Sequence, residues 1–217
     1  MPRYQLIVFD WDGTLMDSAA TIVRAIQAAA LDLGLPVPPD ARARHVIGLG
    51  LQDALQHAVP ELPPARYPEM VEAYRRHYLA QDHDLSLFAG VETLLDQLLE
   101  AGHCLAVATG KSRVGLDRAL HHSGLRSRFQ ATRCADECHS KPHPQMLEEL
   151  IDEFALRPEN TLMIGDTSHD LLMASNAGVD ALAVSYGAHP AEHLAAHAPL
   201  ATLSTVEELA AWLKKHA

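Results

Sequence analysis

The feature that most constrains this chain is the run Leu6-Ile7-Val8-Phe9-Asp10-Trp11-Asp12-Gly13-Thr14-Leu15, where a short apolar stretch ends abruptly in two carboxylates. Four apolar residues without polar alternation fit a strand covered on both faces, as in a parallel sheet packed between helices. Asp10 and Asp12 then fall at its C-terminal edge, where open α/β sheets place their ligand sites. Gly13 permits a backbone path that most residues resist. Two carboxylates this close repel, so a cation or a shared proton is needed to hold them together. The plain alternative is a solvated Asp-x-Asp-Gly turn.

Three further apolar runs end in polar residues: 104–108 in Thr109, 161–165 in Asp166, and 181–184 in Ser185. Lys141 stands between the runs 104–108 and 161–165, in Ser140-Lys141-Pro142. If all these runs are parallel strands, Asp10, Asp12, Thr109 and Asp166 emerge on one edge of one sheet. Each residue also has an ordinary reading. Thr109 could cap the helix that begins near Ser112, Lys141 could be a loop lysine, and Asp166 a turn residue. Their joint occurrence in this order sets those readings aside.

The set resembles the haloacid dehalogenase superfamily of phosphohydrolases and phosphotransferases, and within it the phosphoglycolate phosphatase-like subgroup. The matching motifs are Asp10-Trp11-Asp12-Gly13-Thr14-Leu15 with Asp17-Ser18, then Thr109-Gly110-Lys111, then Lys141-Pro142, then Gly165-Asp166-Thr167-Ser168-His169-Asp170. The resemblance implies an α/β fold, a Rossmann-like parallel sheet flanked by helices with an inserted all-helical cap domain. It also implies a Mg²⁺-dependent phosphatase that hydrolyses a small phosphorylated metabolite through an aspartyl-phosphate on Asp10. Asp12 would protonate the leaving oxygen and then deprotonate the attacking water. Asp10, the backbone carbonyl of Asp12 and Asp166 would hold Mg²⁺. Thr109, Gly110 and Lys141 would bind the phosphate, and Asp170 would orient Lys141 or a metal-bound water. Lys111 is either the lysine that the subgroup often carries here or a solvated lysine at a helix start. A β-phosphoglucomutase-like phosphotransferase would share this machinery, but that subgroup usually has Glu-Asp in place of Gly165-Asp166. A dehalogenase proper lacks a carboxylate matching Asp12. A catalytically inactive phospholigand-binding regulator would be expected to lose Asp10 or Asp12, and neither is lost.

The periodicity divides the chain. Ile22, Val23, Ile26, Ala30 and Leu33 form a helical stripe that Gly34 and Pro36 stop. Helical patterns continue after Asp40, around Leu51, Leu55 and Val59, and through Tyr67, Met70, Val71, Tyr74 and Tyr78, with no convincing strand up to about residue 84. After Gly90 helices and strands alternate, down to a last helix with a Ser204-Thr205-Val206-Glu207 start. The expected domains are therefore a core of residues 1–15 and 87–217 and a helical cap of residues 16–86, with hinges at 14–18 and 83–90. Gly48-Leu49-Gly50 interrupts the cap between two helices and is either a substrate-facing loop, through Gly48, or a plain joint.

Composition narrows the partners. A formal charge of −11 argues against a nucleic-acid backbone, and requires any phosphate site to be made locally positive. No apolar run approaches the roughly 20 residues of a membrane span. Three unevenly spaced cysteines, with no signal-like start, lead to the expectation of a reducing cytoplasm. A monomer or weak homodimer is expected. Cys134, Cys138 and His139 make a partial metal site without a fourth ligand. His189, His193 and His197, and likewise His121, His122 and His143, read as solvated surface. The tyrosines at 67, 74 and 78 read as packing inside the cap.

Overall fold

The computed structural model describes residues 3–217. Its sheet has six parallel strands, β1 (Leu6–Phe9), β2 (Cys104–Thr109), β3 (Ala131–Cys134), β4 (Thr161–Gly165), β5 (Asp180–Val184) and β6 (Thr202–Leu203), in the order β3-β2-β1-β4-β5-β6. Four of these are the apolar runs of the sequence. The other two are the edges, where burial is one-sided or partial: Ala-Thr-Arg-Cys and a two-residue strand carry no continuous apolar signal.

β1 is buried at every position, and its side chains divide between two cores. Ile7 and Phe9 pack with Leu105, Val107 and Ile164 under the helices α5 (Val91–Glu100), α6 (Arg113–Ser123) and α10 (Val206–His216). Leu6 and Val8 pack on the opposite face with Ala106, Met163 and the helices α7 (Gln145–Glu153) and α8 (Ser168–Ala177). This two-sided cover is why the run has no polar alternation.

Between β1 and α5 the chain is entirely helical: α1 (Ala19–Asp32), α2 (Asp40–His45), α3 (Leu51–Ala58) and α4 (Tyr67–Leu79), with short 3₁₀ turns. These helices close a third core around Val23, Ile26, Val46, Leu55 and Met70. The two passages between this segment and the sheet lie side by side. Met16 bridges Leu87 in antiparallel fashion, Asp17 N–H donates to the Ser86 carbonyl at 3.0 Å, and Phe88 N–H to the Leu15 carbonyl at 3.0 Å. A short helix, α9 (Ala191–Ala195), completes the chain's elements. Among the described residues, no helix is long and apolar enough to cross a membrane.

Candidate active site

β2 and β3 lie on one side of β1, and β4 to β6 on the other. The strand order therefore reverses between β1 and β4, and the loops leaving their C-terminal ends diverge to leave a crevice. The register puts Phe9 level with Val107 and Ile164, so Asp10 and Asp166 leave their strands side by side.

Asp10 is buried, and its Oδ1 accepts a hydrogen bond from Lys141 Nζ at 2.7 Å. The same ammonium donates to Asp170 Oδ1 at 2.6 Å. Asp170 is itself fixed by a capping box at the start of α8, its Oδ2 accepting from the Thr167 N–H at 3.0 Å and the Thr167 hydroxyl at 2.6 Å. A helix-start signal thus supplies the partner that aims Lys141 at Asp10. Residue 165 must be glycine, because a Cβ there would overlap the Asp170 carboxyl. Asp166, fully buried, accepts from Thr14 Oγ1 at 2.8 Å and from the Ala188 N–H at 2.7 Å. Gly13, at φ +85°, and Gly187 crowd its carboxylate so closely that a Cβ on either would overlap it.

Oxygens of Asp10, Asp166 and Asp170 lie within 4.8 Å of one another, and among the described residues Lys141 is the one cation in ion pairs with them. Burial, against the opposing pull of Lys141, pushes Asp10 up to about 7. Burial first, and then the neighbouring Asp10 charge, raise Asp166 well above the usual carboxylate range. Burial works against the Lys141 charge, but Asp10 and Asp170 outweigh it and hold the ammonium protonated. Asp10 Oδ2 is buried with no hydrogen-bond partner. Surplus negative charge beside an unpartnered carboxylate oxygen fits a hard divalent cation, which takes oxygen ligands.

Asp12 makes a second, separate set. Both its oxygens accept from Lys111 Nζ at 2.9 Å, and Oδ1 also accepts from Ser18 Oγ at 2.7 Å. Lys111 therefore points inward rather than into solvent. It donates further to the Tyr78 hydroxyl at 3.0 Å; Tyr78 packs in the core of the helical segment, as expected of the α4 tyrosines, and its hydroxyl also reaches across to a core lysine. No spacing could have revealed this, since the partners lie on different segments. The cap of α6 is Ser112, whose Oγ accepts from Gly115 N–H at 3.3 Å. Thr109 is left to accept from Lys111 N–H at 3.2 Å beside the crevice.

Asp10, Asp12, Thr109, Gly110, Lys111 and Gly48 all line one chamber of about 420 Å³. Lys141, Asp166 and Asp170 do not line it; they sit buried behind Asp10. The Gly48-Leu49-Gly50 loop is seated on the core as well as facing the chamber. A Cβ at Gly110 would strike the carbonyls of Gly48 and Leu49, and Gly50 N–H donates to Ser140 Oγ at 2.8 Å. Below it, the His45 carbonyl accepts from His169 Nε2 at 2.7 Å and from His189 Nε2 at 3.1 Å. His189 is buried, not solvated as its spacing with His193 and His197 had led us to expect, because it precedes the short α9 and turns inward. Its Nδ1 accepts from Ser168 N–H at 3.0 Å, and burial pushes its pKa down to about 4, so the ring is neutral.

Residues 7–184 match the family model for haloacid dehalogenase-like hydrolases. The chain is 36% identical over 210 residues to the probable phosphatase IndB of Dickeya dadantii, covering 94% of this chain and 91% of that relative. It is 34% identical over 216 residues to a 5'-nucleotidase of Pseudomonas aeruginosa, covering 99% and 97%. Among solved structures, one from Haemophilus somnus described as a predicted phosphoglycolate phosphatase superposes with a TM-score of 0.85 at 26% identity, covering 96% of this chain and 97% of that one.

Proposed function

The chain belongs to the haloacid dehalogenase-like hydrolase family, and from that premise we propose that it is a Mg²⁺-dependent phosphatase of small phosphorylated metabolites that works through an aspartyl-phosphate on Asp10. Its class is phosphoric monoester hydrolase, like that of the 5'-nucleotidase of Pseudomonas aeruginosa. The observation that carries the finer reading is the buried carboxylate cluster with one ammonium and one unpartnered oxygen, Asp10 Oδ2.

Lys141 holds Asp10 Oδ1, so Oδ2 is the oxygen left to attack phosphorus or to take a cation. Asp10, Asp166 and the backbone carbonyl of Asp12 would hold Mg²⁺, while Asp170 is retained by Lys141 and Thr167. Bound there, the ion would neutralise the phosphate charge and fix its orientation. In the first half-reaction a carboxylate oxygen of Asp10 forms a bond to phosphorus, and the bond to the alcohol oxygen breaks. Asp12 gives its proton to that oxygen. In the second, Asp12 takes a proton from water, whose oxygen attacks phosphorus and frees Asp10 and inorganic phosphate. Lys141 and Thr109 offset the charge that develops on the phosphoryl oxygens. Residues 16–86 act as the cap, resting on the core through residues 48–50. Its three unpaired thiols suit a reducing cytoplasm.

The test is release of inorganic phosphate from a panel of monoesters, phosphoglycolate included, with Mg²⁺ and after chelation. We expect turnover only with the ion. Full turnover in excess chelator would reject the proposed centre. Conversion of β-glucose 1-phosphate to the 6-phosphate with little phosphate released would replace the phosphatase by a mutase.

A further inference from the structure

The chamber in front of Asp10 and Asp12 is chemically lopsided. Its inner walls are aliphatic: Ile22 and Ile26 from α1, Val46 and Ile47 after α2, and Leu55 from α3. The ring of Tyr74, stacked on Tyr78 with centroids 5.8 Å apart, supplies a flat wall. Its mouth is apolar too. Leu79 at the end of α4 and Val114 at the start of α6 both line it, and they are 44% and 74% exposed, two of the few large apolar side chains left to solvent.

Two of the three cations that line the chamber are firmly matched. Lys111 is held by both oxygens of Asp12, Arg118 Nε lies 2.6 Å from Asp82, and Arg75 lies 3.6 Å from Glu72. The remaining charged group, Asp136, is an anion, and it accepts from the Arg113 N–H. A second carboxylate on a substrate, such as that of phosphoglycolate, would meet at most the exposed, loosely paired Arg75 and would leave most of the aliphatic wall uncovered.

We propose that the alcohol half of the substrate is an uncharged, predominantly apolar body bearing a flat ring, seated between Tyr74 and the aliphatic wall with its phosphate against Asp10. The inference rests on the phosphatase reading and narrows it to a substrate class. Burial of a ring supplies binding energy remote from phosphorus, so its effect falls on kcat/KM, through KM where ground and transition states share the contact. A second anion on the same body would be desolvated without a partner.

Three esters with alkyl leaving groups separate the possibilities: 2-phenylethyl phosphate, the same ester carrying a para-carboxylate, and phosphoglycolate. With Mg²⁺ present, kcat/KM for 2-phenylethyl phosphate is expected to exceed both others by about tenfold or more, mostly through KM. The Leu79→Lys variant, altered at an exposed position, should lower that value several-fold and raise the value for the carboxylated ester. If phosphoglycolate or the carboxylated ester is the better substrate, the apolar assignment falls while the phosphatase reading stands. If none of the three releases phosphate, both fall.

Discussion

Two lysines, Lys141 buried and Lys111 partly exposed, each hold a carboxylate of the first motif, and the difference between them is instructive. Lys141 pairs with Asp10, at the end of β1, and Asp170, in the first turn of α8, and all three side chains are almost fully sealed. Lys111 pairs with Asp12 from the core and Tyr78 from the helical segment, with a tenth of its side chain exposed. The first set is complete once β1, β4 and α8 are packed. The second is complete only when α4 lies over β2. Under the proposed mechanism the nucleophile and the acid–base group would thus have separate partners, and only the second set would include a side chain from the helical segment.

The largest expected effect is at the centre of the sealed set. Asp10→Asn should lower kcat on the order of 10³-fold or more with no loss of fold, since the residue lies at a strand end; kcat and thermal unfolding check both parts. Retention of more than about a tenth of the activity would mean that another group attacks phosphorus. Lys141→Met should lower kcat by about 10²- to 10³-fold, the usual cost of one preorganised charge-stabilising donor. It should also destabilise the protein by about 3 kcal/mol near pH 8, because Asp10 and Asp170 are left buried without their cation, as urea unfolding would register.

Metal removal sharpens the same contrast. Asp10 rises from an ordinary 3.8 to about 7 in the folded protein. A carboxyl with a raised folded pKa gives stability that is present below the unfolded value and lost as pH rises through the folded one. In excess chelator, Tm should therefore fall between pH 4 and 7 on account of this group. Mg²⁺ should raise Tm strongly at pH 8 and little at pH 4.5, since at low pH protons occupy the oxygens it needs. Equal Mg²⁺ shifts at both pH values would remove the centre from the carboxylate cluster.

The smallest effects belong to the shared set. Lys111→Met should cost about tenfold in kcat/KM. Tyr78→Phe should cost a few-fold, in keeping with the roughly 1 kcal/mol of one hydrogen bond. Steady-state kinetics on one ester rank the variants. If Lys111→Met proves as damaging as Lys141→Met, the division between the two sets collapses.

Much of this arrangement is legible in the residues. Apolar runs ending in Asp10, Thr109 and Asp166 locate three central strands and their active edge, because a strand buried on both faces has no choice but to be continuously apolar. The edge strands β3 and β6 escape the same reading because they are short and only partly covered. Thr167-x-x-Asp170 is recognisable as a helix start, yet nothing local says that its carboxylate faces a lysine 29 residues away. The burial of His189 and the reach of Tyr78 to Lys111 escape the sequence for one reason: helical spacing tells which residues share a face, but not what that face meets.

The sequence by itself determined which reactive groups are available, since the carboxylates at 10, 12, 166 and 170, the hydroxyl at 109 and the lysines at 111 and 141 are all marked by motif and order. Only the tertiary structure decided their relations. It put Lys141 behind Asp10 and Lys111 over Asp12, brought the 48–50 loop onto Gly110, and surrounded the space before Asp10 with aliphatic side chains from α1, α3 and the turn after α2 and an aromatic ring from α4. The physical reason is range. Strand character and helix caps are set by neighbours along the chain, whereas pairing, burial and pocket chemistry depend on contacts between residues that lie tens of positions apart.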